Sequence, residues 1–245
     1  MGQGYPNIWH NVTLWSVKPL ALLSIILLFK AVYSKKNLYY FLTTITVLTS
    51  LFAKPSFAIM FLPSLAIFGL IQKHYNKQFI LFYIFLSVMS IGILLYQFSH
   101  TFHTGDSKVI FDFLGVWSQA SRDVPISIML TLAFPLLFVL VESKILHDDY
   151  ILFSWIQIFI GILFYSLLAQ TGHYYNHGNF GWSYMIAISI LYVFSIIKFF
   201  SIYNDLNIFK RYILLSLLLT QVIIGIYYFE KVLQGQNPLY IAIFL

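Results

Sequence analysis

Eight apolar blocks divide this sequence, at 14–33, 38–53, 57–71, 79–96, 126–141, 151–168, 184–200 and 212–228. Their lengths approach the roughly 20 apolar residues that cross a bilayer core. That core offers no water to an open backbone, so each block is expected to be a helix. Composition agrees, because 60% of the residues are hydrophobic and 9% charged, against about 25% charged in a soluble domain. The expected fold is therefore all-α, a polytopic membrane helix bundle with about eight apolar segments. It forms a single integral membrane domain over 1–245, with the lipid bilayer as its first partner. The second and third blocks are short, and Lys54-Pro55-Ser56 separates them with almost no loop. They form either two thin spans or one re-entrant hairpin, and both return the chain to the side it left.

The absence of cysteine excludes a disulfide-stapled secreted domain, and the 20% aromatic content excludes a disordered chain. The net charge of +6 comes from Lys and Arg scattered between apolar blocks. No basic patch for nucleic acid results, and the charges are better read as topology. With the N-terminus outside, the cytoplasmic ends hold Lys30, Lys35, Lys36, Lys73, Lys77, Lys144, Lys198, Lys210 and Arg211. The outer ends hold only Lys18, Lys54, Lys108, Arg122 and Lys231. The positive-inside bias favours this orientation. Residues 1–11 lack the basic n-region of a signal peptide. An outer N-terminus with no export signal predicts a preceding portion of the protein; a first span acting as a reverse anchor is the alternative.

Polar residues gather in three outer segments. The first holds Trp9, His10 and Asn11, whose side chains suit hydrogen bonding to a sugar or phosphate, although Trp at this depth also serves as an interfacial anchor. In the second, 97–125, the apolar run 109–117 is too short to span and is expected to lie along the interface. His100, His103 and Asp106 recur there every third residue, but the glycine and hydroxyl residues around them favour a surface loop over a metal site. Arg122-Asp123 reads as an interfacial ion pair or as a phosphate-binding arginine beside an acid or base. The third segment, 169–182, packs His173, His177, Asn179 and Trp182 among glycines, which points to a tight loop whose backbone comes close to something. Lys54 adds a cation at a helix break, where it snorkels to the surface or meets an anion such as a lipid phosphate. No cofactor or metal follows from these residues.

Three motifs carry a resemblance: Trp9-His10-Asn11-x-Thr13 with Lys18-Pro19; Ala53-Lys54-Pro55-Ser56-Phe57 with Phe61-Leu62-Pro63; and His177-Gly178-Asn179-Phe180-Gly181-Trp182. Together they resemble the C-terminal part of bacterial multi-span proteins encoded with surface-polysaccharide genes. Those proteins are similar to C-type, lipid-linked-sugar glycosyltransferases and to polysaccharide polymerases. Val12 departs from the proline expected there, and Gln170 from an acidic residue. The resemblance implies an inner-membrane protein that transfers or polymerises sugars from a polyprenyl-phosphate-linked saccharide at the outer face. It implies binding of diphosphate or sugar by His10, Asn11, Lys54, Arg122, His173, His177 and Asn179. It also implies an essential outer carboxylate. The first acid in the chain is Asp106, so that role falls to Asp106, Asp112 or Asp123, or to sequence upstream. A lipid-linked saccharide transporter and a non-catalytic fragment are the competing readings.

Overall fold

The computed structural model describes residues 12–73, 76–101 and 108–234. Each of the eight apolar blocks is helical. In chain order the helices are α1 (Val12–Ser34), α2 (Asn37–Ala53), α3 (Ser56–Ile71), α4 (Lys77–Thr101), α5 (Gly115–Ala120), α6 (Val124–Thr131), α7 (Ala133–Val141), α8 (Asp149–Leu167), α9 (Gly181–Ser201) and α10 (Ile208–Leu233). Two short strands, β1 (Val109–Phe111) and β2 (Leu168–Gln170), accompany them. The protein is thus a multi-pass helix bundle, with fewer full-length spans than blocks. Among the described residues five helices are long and apolar enough to cross a membrane, and the bent α6–α7 pair, counted as one span, brings the number to six. Helices α2 and α3 have 17 and 16 residues and fall short of that length.

Ion pairs and hydrogen bonds tie the helix ends into two polar layers. In the first, the hydroxyl of Tyr33 donates to Asp149 at 2.7 Å and Gln72 donates to the same carboxylate at 3.0 Å. Lys198 pairs with Asp148, and Lys210 with Glu142, each at 2.9 Å. This layer joins the ends of α1, α3, α7 and α9 to the starts of α8 and α10, and it holds Lys198 and Lys210, two of the basic residues assigned to the cytoplasmic side. In the opposite layer Gln97, near the end of α4, donates to the carbonyl of Leu51 in α2 at 3.1 Å. Ser183, at the start of α9, donates to the carbonyl of Ser56 at 2.8 Å.

These contacts distinguish a thin crossing from a re-entrant turn. Helix α3 starts beside the start of α9 and ends at Asp149, next to the residue that pairs with the end of α9. It runs from layer to layer as a short helix of ~24 Å at 1.5 Å per residue, so the α2–α3 turn reaches the polar layer. Proline explains the turn: Pro55 bars Lys54 from helical geometry, and Lys54 is extended at φ −162°, ψ 113°.

A second proline breaks the fifth block. Helices α6 and α7 are bent by 68°. Pro135 has no N–H for the carbonyl of Thr131 four residues earlier, and its ring crowds that oxygen. The freed carbonyl accepts from the hydroxyl of Tyr192 in α9 at 2.8 Å. That hydroxyl is shared with Oε1 of Gln221 at 2.9 Å, while Nε2 of Gln221 donates to the carbonyl of Leu130 at 3.2 Å. Two side chains from α9 and α10 thus satisfy a break that lipid could not.

The core sits where α1, α3, α8 and α9 meet. Phe153 of α8 packs edge-on against Phe29, Phe61 and Phe68, with ring centroids 5.5 to 5.8 Å apart. Gly161 lets α8 and α9 approach closely, since a Cβ there would lie 2.8 Å from the Cα of Tyr184. By contrast, α4 and α10 lie at the periphery and expose many large apolar side chains, as lipid-facing helices do.

The run 109–117 does not lie along the interface as one apolar segment. Its first three residues pair antiparallel with Leu168–Gln170, in the register Val109 to Gln170 and Phe111 to Leu168. Backbone bonds from Asp112 to Leu167, Leu114 to Ser166 and Thr171 to Lys108 extend the pairing. β-Branched Val109 and Ile110 favour the extended form, and the partner strand satisfies the polar groups that an isolated interfacial strand would leave open.

Candidate functional site

The polar-loop layer brings together parts of the second and third outer segments with the Lys54 turn. Trp117 of α5 is 1% exposed and stacks on Tyr165 of α8 at 4.3 Å, with Tyr184 of α9 at 5.2 Å. The Tyr165 ring in turn lies against Gly181, where an added Cβ would come within 2.9 Å of it. The close approach expected of the glycine-rich loop is therefore to the protein's own aromatic ring. Gly172 and Gly178 have φ of 69° and 57°, left-handed values that glycine adopts without strain. Between them Gly172–His177 forms a 3-10 turn.

Lys54 is the central charge of this layer. It is 9% exposed, and its Nζ sits 4.2 Å from the centroid of the Trp182 ring. Among the described residues no carboxylate and no hydrogen-bond acceptor reaches it. Burial lowers its ammonium pKa to about 8, because removing water penalises the charged form. A cation over an indole face gains about 0.5 to 2 kcal/mol, which offsets only part of that penalty. The Lys54 ammonium is held against the Trp182 ring. It lies at the start of α3, beside the start of α9, and neither helix has a side-chain N-cap, since Pro55 and Phe180 occupy those positions.

The remaining sequence-derived residues divide by role. Asp112 accepts from the hydroxyl of Tyr175 at 2.5 Å, fastening the second outer segment to the third. That hydrogen bond raises the Tyr175 pKa. Asp123 caps α6 by accepting from the amide of Ile126 at 3.1 Å, and it forms no ion pair with its neighbour Arg122. Asn179 donates to Gln170, while Arg122 and His177 are exposed. His10, Asn11 and Asp106 lie outside the described residues, as does the side chain of His173. His100 approaches the carbonyl of Tyr96 and stacks on that ring, so it belongs to the end of its own helix. Among the described residues no three His, Asp or Glu side chains gather in a metal-binding group.

Sequence reasoning passed over Gln157. It is the ninth residue of the 19 in α8, fully buried, and neither its Oε1 nor its Nε2 has a hydrogen-bond partner. An amide left so is expected to cost about 1–3 kcal/mol by protein mutational data. The sequence signal was a lone amide in the middle of an apolar block.

Architecture and site together define a multi-pass helical membrane protein with a buried, uncompensated cation at one polar face. No protein family, curated protein or solved structure matches the chain.

Proposed function

We propose that the chain is an inner-membrane protein of surface-polysaccharide assembly. It receives a polyprenyl-phosphate-linked saccharide at the polar-loop face and takes part in transferring or polymerising the sugar. The observation that carries this reading is Lys54, a buried cation without a counter-charge, set between two uncapped helix starts and a Trp face. Such surroundings favour a phosphate, which would supply the missing negative charge while its lipid tail stays in the bilayer. The short motifs around Lys54 and Trp182, which resemble those of lipid-linked-sugar proteins, support the same reading. Arg122 and His177 are exposed on this layer and would meet the sugar end. The base would be Asp106 or Asp112, whose carboxylate accepts from Tyr175, rather than Asp123, which caps α6.

The test uses membranes from cells lacking the protein, restored with the native chain or with Lys54→Met. Transfer of radiolabelled sugar from a polyprenyl-diphosphate donor should appear with the native chain and fall sharply with the variant. Equal polymer with and without the protein overturns the proposal. A carrier without bond chemistry is the second reading, favoured by the break at Pro135, because transporters bind at discontinuous helices. It predicts movement of the intact lipid-linked saccharide between leaflets with no new glycosidic bond.

A further inference from the structure

The polar layer that holds Lys198 and Lys210 is charged unevenly. Residues 1–105 contain no Asp or Glu, so α1–α4 bring lysines to this layer and no acid. Lys35 and Lys36 lie in the α1–α2 turn, Lys73 follows α3 and Lys77 begins α4, and all four are exposed. The acids here come from the other half of the chain. Glu142 and Asp148 are taken by Lys210 and Lys198, and the oxygens of Asp149 accept from the neutral groups of Tyr33 and Gln72. Neither ion pair of the described residues involves any of the four lysines.

The two lysine-bearing turns are neighbours. The rings of Tyr40 in α2 and Phe82 in α4 lie 4.9 Å apart, and both helices start from this layer. Lys36 precedes Tyr40 by about one helical turn and Lys77 precedes Phe82 by about one and a half, so the two starts stand side by side. Phe79 lies against Gly69, where an added Cβ would come within 2.9 Å of its ring; this holds the start of α4 to the end of α3 that carries Lys73. The fold's own electrostatics do not account for the group. Lys36 and Lys77 stand at helix starts, where the dipole disfavours a cation. Lys35 and Lys73 follow helix ends, where the dipole favours them, yet they hold φ of 55° and 54°, a left-handed position that glycine ordinarily fills without strain. Next to the charges the same two helices expose apolar side chains, Leu38 and Phe41 on α2, Leu81 and Ile84 on α4.

We infer that the paired turns bind an anionic phospholipid, with its head-group phosphate among the four lysines and its acyl chains along the exposed apolar side chains of α2 and α4. Charge complementarity selects an anion, and the adjoining apolar faces select one that carries its own hydrocarbon. This surface lies at the layer opposite Lys54 and does not depend on a saccharide donor.

The test is native mass spectrometry of the full chain released from phosphatidylcholine nanodiscs and titrated with phosphatidylglycerol, phosphatidylcholine or soluble glycerol phosphate. The native chain should prefer phosphatidylglycerol to phosphatidylcholine by roughly tenfold or more, and Lys36→Gln and Lys77→Gln should each weaken phosphatidylglycerol binding about fivefold, the effect of one lysine near an anionic surface. Lys36→Arg keeps the charge and should keep the binding. Lys144→Gln, exposed on the same layer between α7 and α8, should change little. All these side chains are exposed, and an unchanged melting temperature in phosphatidylcholine verifies that each variant folds. Equal binding of the two phospholipids by the native chain overturns the proposal, as does unchanged phosphatidylglycerol binding in both glutamine variants at the α2 and α4 starts. Lys144→Gln losing as much as those two replaces a local site with general attraction to a basic surface. Glycerol phosphate binding as tightly as the phospholipid overturns the role of the apolar faces.

Discussion

Replacing Gly161 with Ala tests whether α8 and α9 meet as closely as the structure has them. The added methyl would lie 2.8 Å from the Cα of Tyr184 and 3.0 Å from its backbone nitrogen. Carbon atoms in favourable contact are about 3.5–4.0 Å apart, so the helices must separate by roughly 0.7–1.2 Å, and backbone cannot swing aside as a side chain can. A radial gap of 0.5–1 Å forfeits about a quarter to a half of each contact's attraction, and overpacking of this kind typically costs ~1–3 kcal/mol. Alanine also favours the helix by about 1 kcal/mol over glycine, which partly masks the penalty. Gly92→Ala in α4 supplies the control, because a Cβ there meets nothing within 4 Å. It should therefore report the propensity gain alone. Reversible unfolding in mixed micelles, followed by circular dichroism, should find Gly161→Ala less stable than Gly92→Ala by ~1–3 kcal/mol. The two variants agreeing within ~0.5 kcal/mol, the scale of an indifferent surface change, would refute the close crossing.

The proline break and the buried lysine yield two further predictions. Tyr192→Phe should destabilise by about 0.6–1.7 kcal/mol, the range for hydrogen bonds within membranes; in a Pro135→Ala background the loss should shrink, because the substituted residue would offer Thr131 a backbone N–H, and an unchanged loss across that double-mutant cycle would count against the account of the bend. Binding of lipid phosphate should decline as pH rises through about 8, where Lys54 loses its proton, and Lys54→Arg should extend binding to higher pH; a native profile flat to pH 10 contradicts the lowered pKa. For the unliganded protein the sign is opposite. The unfolded lysine keeps its proton up to 10.5, so between these values the unfolded chain binds more protons and stability rises with pH.

The helical blocks were legible because a bilayer permits so few backbone solutions. The α2–α3 turn was also legible, since a Pro directly after Lys54 forbids a continuous helix whatever surrounds it. The α6–α7 bend had an equally local signal in Pro135, yet an apolar block hides it: hydropathy measures transfer and ignores a missing N–H. The β1–β2 pairing had no local signal at all. Val109 meets Gln170 only after α5, the bent pair and α8 have set the two outer segments side by side, so their register belongs to tertiary structure. For the same reason Asp123 and Asp112 resembled one another in sequence, and only the fold separates a helix cap from the partner of Tyr175.

Gln157 shows a further limit of one-dimensional reading and gives a reason to place function at one face. A lone amide in an apolar block is common where a neighbouring helix satisfies it, as Tyr192 and Gln221 satisfy each other and the α6–α7 break. Polar groups toward the basic layer follow that pattern: Glu142, Asp148 and Asp149 each have a partner on another helix. Their arrangement explains why the helix ends stay together and leaves no carboxylate of the three unengaged. Elsewhere the pattern is reversed: Lys54, at the opposite end, meets only the Trp182 ring, and Gln157, midway along α8, is buried without a hydrogen-bond partner among the described residues. Stability alone would favour apolar residues at both positions, since an unpaired buried polar group is a net loss. A fold that satisfies a proline break with two side chains and pairs Glu142, Asp148 and Asp149 has the means to satisfy these two groups as well. Under the proposed function, a lipid phosphate at Lys54 would supply the counter-charge that the helices leave out.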